Sequence, residues 1–168
     1  CHNITIQPTA IDYFFRRAYA DAQNIPRGSI DNESEKKRWR GIVQRTIGQF
    51  CRKGEFATVF EELYETFAGG RRWKAMDGAR GVLDELKRRG YRVAILSNAD
   101  SRTRSVLSDL SLEERFEAIF LSTETHFEKP DSRAFQYVES HLGLLAEHML
   151  HVGDSRGHDE SGALRAGW

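Results

Sequence analysis

The chain has 168 residues, which is enough for one domain with an insertion or for two small domains, and 39% of them are hydrophobic. It carries 25 basic and 25 acidic side chains, and this balance argues against broad nucleic-acid binding. Two cysteines, Cys1 and Cys51, are too few for a disulfide framework and lack metal-ligand spacing. Because no membrane span or signal peptide is visible, we expect a soluble cytoplasmic protein with no membrane or nucleic-acid partner.

Residues 1–72 are predicted to form a helical domain. Residues 2–8 alternate weakly around Ile4 and Ile6, which fits a short strand or an extended linker equally well. Apolar side chains then recur at helical spacing in three stretches, which predict helices over about residues 9–23, 34–50 and 56–67. We expect Ser34 to cap the second of these helices.

Residues 73–168 show a different pattern, in which short apolar runs alternate with helical periodicity. The runs predict buried strands over residues 91–97, 118–122 and 149–152. Helices are expected between them, and Asp131 is expected to cap the one that precedes the third strand. This order of elements is typical of a doubly wound, Rossmann-like parallel α/β sheet.

Polar side chains follow each predicted strand. Ser97 and Asn98 end the first strand, Lys129 lies in the loop after the second, and Asp154 and Asp159 follow the third. Ligands of such sheets bind beyond the carboxyl ends of the strands, where a hydroxyl and an ammonium could contact a phosphate. Two carboxylates there could bind Mg²⁺. Taken alone, the two aspartates could equally end the strand and cap the next helix.

Three of these segments resemble motifs of the haloacid dehalogenase superfamily, chiefly its phosphatases with a helical cap. Ile95-Leu96-Ser97-Asn98 is similar to the second motif, and FEKPDSRAF around Lys129 is similar to the third. Gly153-Asp154 followed by Asp159 is similar to the fourth motif, G-D-x-x-x-x-D. The resemblance covers residues 75–168 well, and the helical stretches of residues 9–72 lie where such proteins carry a cap.

The resemblance implies a Mg²⁺-dependent phosphatase that acts on a small phosphorylated metabolite through an aspartyl-phosphate intermediate. Ser97, Asn98 and Lys129 would bind the phosphate, with Lys129 also catalytic, and Asp154 and Asp159 would bind the metal. Dehalogenases of the superfamily work without metal and generally lack the Gly-Asp motif, so both acids favour phosphoryl transfer. The alternatives are a non-catalytic binding or scaffold protein and a 2-haloacid dehalogenase.

The family's first motif, D-x-D, supplies the nucleophile and the general acid/base, and the chain contains no such sequence. We expect it upstream of Cys1, on a strand between residues 91–97 and 149–153, and we also expect a further strand after Trp168. Without the first of these strands the core would be incomplete and the two neighbouring strands would have unpaired edges, unless another segment fills the gap. Residues 3–7 are the only local candidate for that segment, and a poor one. The chain by itself is therefore predicted to be inactive.

The basic side chains of the helical domain point less clearly to a function. The run Lys36-Lys37-Arg38 is predicted to be a solvated helix face. Arg16, Arg17 and the run at residues 71–74 are further candidates for contact with an anionic substrate.

Overall fold

The computed structural model describes residues 6–25 and 28–168 and is mostly helical. The α-helices of these residues are α1 (Pro8–Gln23), α2 (Asn32–Ile47), α3 (Phe56–Thr66), α4 (Ala79–Arg88), α5 (Arg102–Asp109), α6 (Ser122–Thr125), α7 (Ser132–Leu142) and α8 (Ser161–Ala166). The strands are β1 (Ala94–Ser97) and β2 (Ala118–Leu121). None of these helices is long and apolar enough to cross a membrane.

Helices α1 and α2 pack directly against each other. Ala18 and Ala22 of α1 are buried against Ile42 of α2, and Trp39 packs beside them. Two alanines on one face of α1 allow the helix backbones to approach closely, so this small cluster forms the core of the pair. Predicted helices 9–23 and 56–67 are confirmed as α1 and α3, while residues 1–5 and 26–27, which include Ile4, lie outside the described residues.

Asp31 caps α2, and the expectation that Ser34 does so is wrong. The Asp31 carboxylate accepts a hydrogen bond from the amide of Ser34 at 2.8 Å, so the helix begins at Asn32. Ser34 lies in the first turn, and its hydroxyl contacts that of Ser29 at 2.6 Å. Aspartate and serine cap helices about equally well, and three-dimensional context decided between them.

Strands β1 and β2 are parallel and in register from the Ala94–Ala118 pair to the Ser97–Leu121 pair. Leu121 is fully buried. Helix α7 packs against the sheet through Phe135, which contacts Ala134 and Ala163 in a second core cluster. The partly buried side chains packed against this cluster are Leu96, Phe127, Ala166 and Trp168. Because the strands are parallel, their carboxyl ends lie at the same edge of the sheet.

The predicted third strand is absent from the described residues. The segment 149–152 has no strand pairing, and the side chains of Leu150 and Val152 are each 84% exposed. A strand forms only where its backbone pairs with a neighbour, and β2 is the only described segment that pairs with β1. The sheet of the described residues is therefore two-stranded and parallel, smaller than the doubly wound sheet that the apolar pattern predicted.

The connections around α7 place the strand-end loops. Residues 122–125, predicted as the end of a strand and the start of a loop, form the short helix α6 instead. Asp131 caps α7 as predicted, and its carboxylate accepts a hydrogen bond from the Arg133 amide at 2.9 Å. A Cβ atom at Gly162 would lie 2.8 Å from the Phe135 ring, so glycine lets α8 lie against α7.

Candidate functional site

Lys129 lies where the loops that follow the predicted strands meet. Its ammonium donates to the Leu96 carbonyl of β1 at 2.8 Å and to the Asp159 carboxylate at 2.6 Å, and lies 3.4 Å from His151 Nε2. The Lys129 and Asp159 side chains are only 11% and 8% exposed. Lys129 and Asp159, 30 positions apart in sequence, thus form a largely buried ion pair at the carboxyl end of β1.

Asn98 holds the backbone of Lys129 on both sides. The Asn98 amide group donates to the Lys129 carbonyl at 2.7 Å, and its side-chain oxygen accepts from the Lys129 amide at 2.8 Å. These two bonds fix the position of the lysine loop relative to β1. The Asn98 side chain is therefore used to position Lys129.

Ser97 is the last residue of β1 and is half-buried. Its hydroxyl makes no hydrogen bond to any other residue that the structure describes. A strand-end hydroxyl without an internal partner is available to a bound group.

Asp159 is bound by three donors. Besides Lys129, the His151 ring contacts its Oδ1 at 2.8 Å, and the Ser155 amide donates to its Oδ2 at 2.9 Å. Burial alone raises the pKa of Asp159, but the hydrogen bonds from Lys129, His151 and Ser155 outweigh it and hold the pKa far below its ordinary value. This carboxylate is therefore ionised at neutral pH.

Gly153 explains how the Asp159 carboxylate reaches this position. A Cβ atom at residue 153 would lie 2.1 Å from Asp159 Cγ, so any other residue would collide with the carboxylate. The glycine of the Gly-Asp pair is thus required by close packing and needs no unusual backbone angle.

Asp154 differs sharply from Asp159. It is exposed, and its carboxylate contacts no other described side chain. The capping interpretation fits neither residue: Ser155 caps the turn at Arg156–Glu160, and α8 has no side-chain cap. Of the two aspartates in this motif, Asp154 therefore has a carboxylate without a described side-chain partner, and Asp159 has a carboxylate that already accepts hydrogen bonds.

The donor set accommodates Mg²⁺ in part. The described residues contain no group of three or more His, Cys, Asp or Glu side chains arranged to hold a metal. Mg²⁺ often takes one or two carboxylates and completes its shell with water and substrate oxygens. Asp154 fits such a ligand, whereas both oxygens of Asp159 already accept hydrogen bonds.

Two histidines belong to this site, and sequence reasoning missed both. The His151 ring packs edge-on against Phe135 and Trp168 while it contacts Asp159. His158 contacts the Ser155 hydroxyl at 3.1 Å through its ring Nδ1. The sequence feature that could have identified His151 is its position in an apolar run, two residues before Gly153 of the Gly-Asp motif.

A cleft of about 360 Å³ separates the helical pair from the strand-end loops. One wall comes from α1, the segment after it and α2, and the other comes from the loops that carry Asn98, Lys129 and His158. Its lining residues are Tyr19, Ala22, Gln23, Asn24, Ile25, Arg38, Asn98, Glu128, Lys129, Pro130 and His158. Its size is at the lower end of the range of small-molecule sites.

A second polar cluster fixes the loop after β1 to α3. Arg102 makes a bidentate ion pair with Asp100, which is 5% exposed, and its guanidinium lies 3.5 Å from the centre of the Tyr64 ring. Arg102 also donates to the Tyr64 carbonyl at 3.1 Å. Burial, reinforced by the Asp100 charge, raises the pKa of Tyr64 to about 12. The loop that carries Ser97 and Asn98 is thereby tied to α3.

Comparison with known proteins places this geometry in a family. The model of haloacid dehalogenase-like hydrolases matches residues 9–167. The bovine (Bos taurus) haloacid dehalogenase-like hydrolase domain-containing protein 3 is 30% identical over 99% of the chain and 68% of its own length. The human (Homo sapiens) protein is 30% identical over 92% of the chain and 63% of its own length. The chain thus spans about two thirds of the length of these relatives.

Solved structures agree on the fold. The structure of the HAD-hydrolase YfnB from Bacillus subtilis, bound to magnesium, aligns with 98% of this chain and with 72% of its own chain. The TM-score of this alignment is 0.74, and the sequence identity is 22%. The structure of a dehalogenase aligns with 98% of this chain and with 71% of its own chain. The TM-score of this alignment is 0.77, and the sequence identity is 19%. Since the family model spans nearly the whole chain, this protein belongs to the haloacid dehalogenase-like hydrolases.

Proposed function

We propose that the protein containing this chain is a Mg²⁺-dependent phosphatase of a small phosphorylated metabolite. The observation that carries the proposal is the ion pair between Lys129 and Asp159 at the carboxyl end of β1, where the Lys129 ammonium donates to the carbonyl of Leu96, the residue before Ser97. A largely buried cation at the end of the strand that carries an uncommitted hydroxyl is suited to bind a phosphoryl group. The cleft above it holds a small molecule rather than a polymer.

Each residue of the site has a role in this proposal. Ser97 donates its hydroxyl to a phosphoryl oxygen, and Lys129 balances the negative charge of the group. Asn98 holds the backbone of Lys129, and Asp159 holds its ammonium. Asp154 would bind Mg²⁺, and the ion would orient and partly neutralise the phosphoryl group. Asp159 would serve as the second metal-binding carboxylate by exchanging one of the hydrogen bonds that its two oxygens accept in this structure.

The proposed reaction proceeds in two displacements. A nucleophilic aspartate forms an oxygen–phosphorus bond while the leaving alkoxide departs with a proton from a second carboxyl group. Water then attacks the aspartyl-phosphate, which releases inorganic phosphate and restores the carboxylate. The 168 residues contain no D-x-D sequence, so the proposal assigns neither of these two aspartates to a residue of this chain.

The test is a turnover assay of the full-length protein with phosphate monoesters, with and without Mg²⁺ or EDTA. We expect phosphate release that requires Mg²⁺. Asp154→Asn should lower kcat/KM by about tenfold or more at limiting Mg²⁺, with partial recovery at high Mg²⁺. The matched control is Asp77→Asn, because Asp77 is also exposed and its one ion-pair partner among the described residues is Lys74 on the surface.

Two outcomes separate the competing functions. Halide release from a 2-haloacid in the presence of EDTA, without phosphate release, would identify a dehalogenase. Absence of both activities in a correctly folded full-length protein would favour a binding or scaffold role. Either result would overturn the phosphatase proposal.

A further inference from the structure

Arg38 is a cation of the cleft wall that α1 and α2 form, and the residues that the structure describes use few of its donors. It lies on α2, lines the cleft together with Asn98 and Lys129, and has a side chain that is 14% exposed. Its neighbours in the basic run differ: Lys37 is solvent-exposed and pairs with Glu33, and Lys36 pairs with Glu61. The expectation of a solvated helix face is therefore wrong for Arg38.

Arg38 has few hydrogen-bond acceptors among the described residues. Its Nη1 donates to a carboxylate oxygen of Glu35 at 3.3 Å, which is long for an ion pair. Its Nε is buried and has no acceptor among the described residues. The guanidinium lies 5.4 Å from the centre of the Tyr19 ring, which restrains its orientation. The Nη2 group makes no hydrogen bond to another described residue, so a ligand in the cleft that supplies oxygens to it adds a charge-assisted contact.

The chemistry of the cleft indicates what that ligand group is. The Lys129 ammonium already contacts Leu96, His151 and Asp159, whereas Arg38, the other arginine or lysine among the described lining residues, has unused donors. Glu128 also lines the cleft, so its negative charge disfavours a second dianionic phosphate more than a singly charged group. The planar fork of arginine matches the two oxygens of a carboxylate.

We propose that Arg38 binds a carboxylate on the leaving group and thereby selects phosphate monoesters of small hydroxy acids. The inference rests on the proposed phosphatase function and names its substrate class. The phosphate would lie at Ser97 and Lys129, and the carboxylate at Arg38 across the same cleft.

The test compares two esters that differ in a single group. 3-Phosphoglycerate carries a carboxylate where glycerol 3-phosphate carries a hydroxymethyl group. In the full-length protein with Mg²⁺, we expect kcat/KM to favour 3-phosphoglycerate by about tenfold or more, as a charge-assisted contact provides. Arg38→Gln should bring the ratio close to one, and Arg38→Lys should keep an intermediate ratio because it retains the charge without the planar fork.

The control is Arg40→Gln on the same helix. Arg40 does not line the cleft and lies 3.8 Å from Glu61, so the ratio of the two esters should stay at the wild-type value. Thermal melting verifies folding of each variant. If Arg38→Gln fails to fold, the test rests on Arg38→Lys. A ratio of kcat/KM for the two esters that is unchanged from wild type in Arg38→Lys would overturn the inference.

A binding measurement separates this inference from the proposed function. Calorimetric titration of both esters in EDTA should show tighter binding of 3-phosphoglycerate, and Arg38→Gln should abolish the difference. If neither ester is hydrolysed but this difference persists, the phosphatase proposal fails while the Arg38 assignment stands. Hydrolysis with equal ratios in wild type and Arg38→Gln, or equal affinities for both esters in the wild type, would overturn the Arg38 assignment alone.

Discussion

Asp159 and Asp154 lie five positions apart in one motif, yet their surroundings differ. The Asp159 carboxylate is buried and accepts hydrogen bonds from Lys129, His151 and the Ser155 amide. Asp154 is exposed and contacts no other described side chain. The carboxylates therefore serve different purposes: one holds the lysine in place, and the other is free to bind an ion.

Asp159→Asn should destabilise the protein because Lys129 loses its buried counter-charge. We expect a loss of about 3 kcal/mol in the free energy of unfolding at pH 7, as when one partner of a buried ion pair is removed. The folded-state pKa of Asp159 is depressed, so this stabilisation is present above the ordinary carboxyl pKa of about 3.9 and is lost as pH falls below it. The difference between wild type and variant should therefore shrink below about pH 4.

Urea unfolding at pH 7, 5 and 3.5 checks this pH dependence. Asp154→Asn is the matched control, and its exposed carboxylate should change stability by no more than about 0.5 kcal/mol at any of these pH values. A stability difference for Asp159→Asn that stays constant down to pH 3.5 would contradict the ion-pair account.

At the scale of elements, α3 is joined to the loop after β1 through one buried cluster. Arg102 pairs with Asp100, stacks on the Tyr64 ring and donates to the Tyr64 carbonyl. The Ser101 amide also donates to the Asn32 side chain of α2 at 3.1 Å. Helices α2 and α3 therefore set the position of the loop that carries Ser97 and Asn98.

Arg102→Ala should cost about 3 kcal/mol or more, because it leaves the Asp100 carboxylate buried and unpaired. Tyr64→Phe keeps the ring under the guanidinium and removes only a long hydrogen bond of 3.4 Å to Asp100. That variant should lose no more than about 1 kcal/mol. Urea unfolding of both variants provides the comparison, and equal losses would show that the ion pair is not the main contact between α3 and the loop.

At the scale of the whole molecule, several large apolar side chains are mostly exposed. They include Met76, Val82, Tyr91, Leu145, Leu150, Val152 and Leu164. Scattered apolar side chains are normal on protein surfaces, whereas contiguous ones promote association. Leu150 and Val152 lie in the segment that the sequence predicts as a buried strand, so their exposure is the clearest departure from the apolar pattern.

Leu150→Ser with Val152→Ser should reduce binding of the dye ANS by the 168-residue chain. Because both side chains are exposed in the folded state, the free energy of unfolding should change by no more than about 0.5 kcal/mol. Leu121→Ala is the contrasting variant, since Leu121 is fully buried and its truncation should cost about 2–5 kcal/mol. Dye fluorescence and urea unfolding test both variants, and a large stability loss in the double variant would show that the segment is packed in solution.

Much of the local structure could be predicted, because helices and strands impose short periods on the sequence. Helical spacing predicted α1 and α3 closely, and the apolar runs predicted β1 and β2 to within three residues at either end. Sequence order alone also placed Ser97, Asn98 and Lys129 at strand ends. Their roles in phosphate binding stay predictions, as does the metal role of Asp154 and Asp159.

The sequence by itself therefore determined the family, helices α1 and α3, the two strands and the motif residues, since each depends on nearest neighbours or on fixed spacing. The tertiary structure decided which partners those residues have. Contacts with other loops or with segments distant in sequence surround Arg38, His151 and Arg102. No local sequence pattern specifies such contacts. The same reason explains residues 149–152, because whether an apolar run becomes a strand depends on a backbone partner beside it.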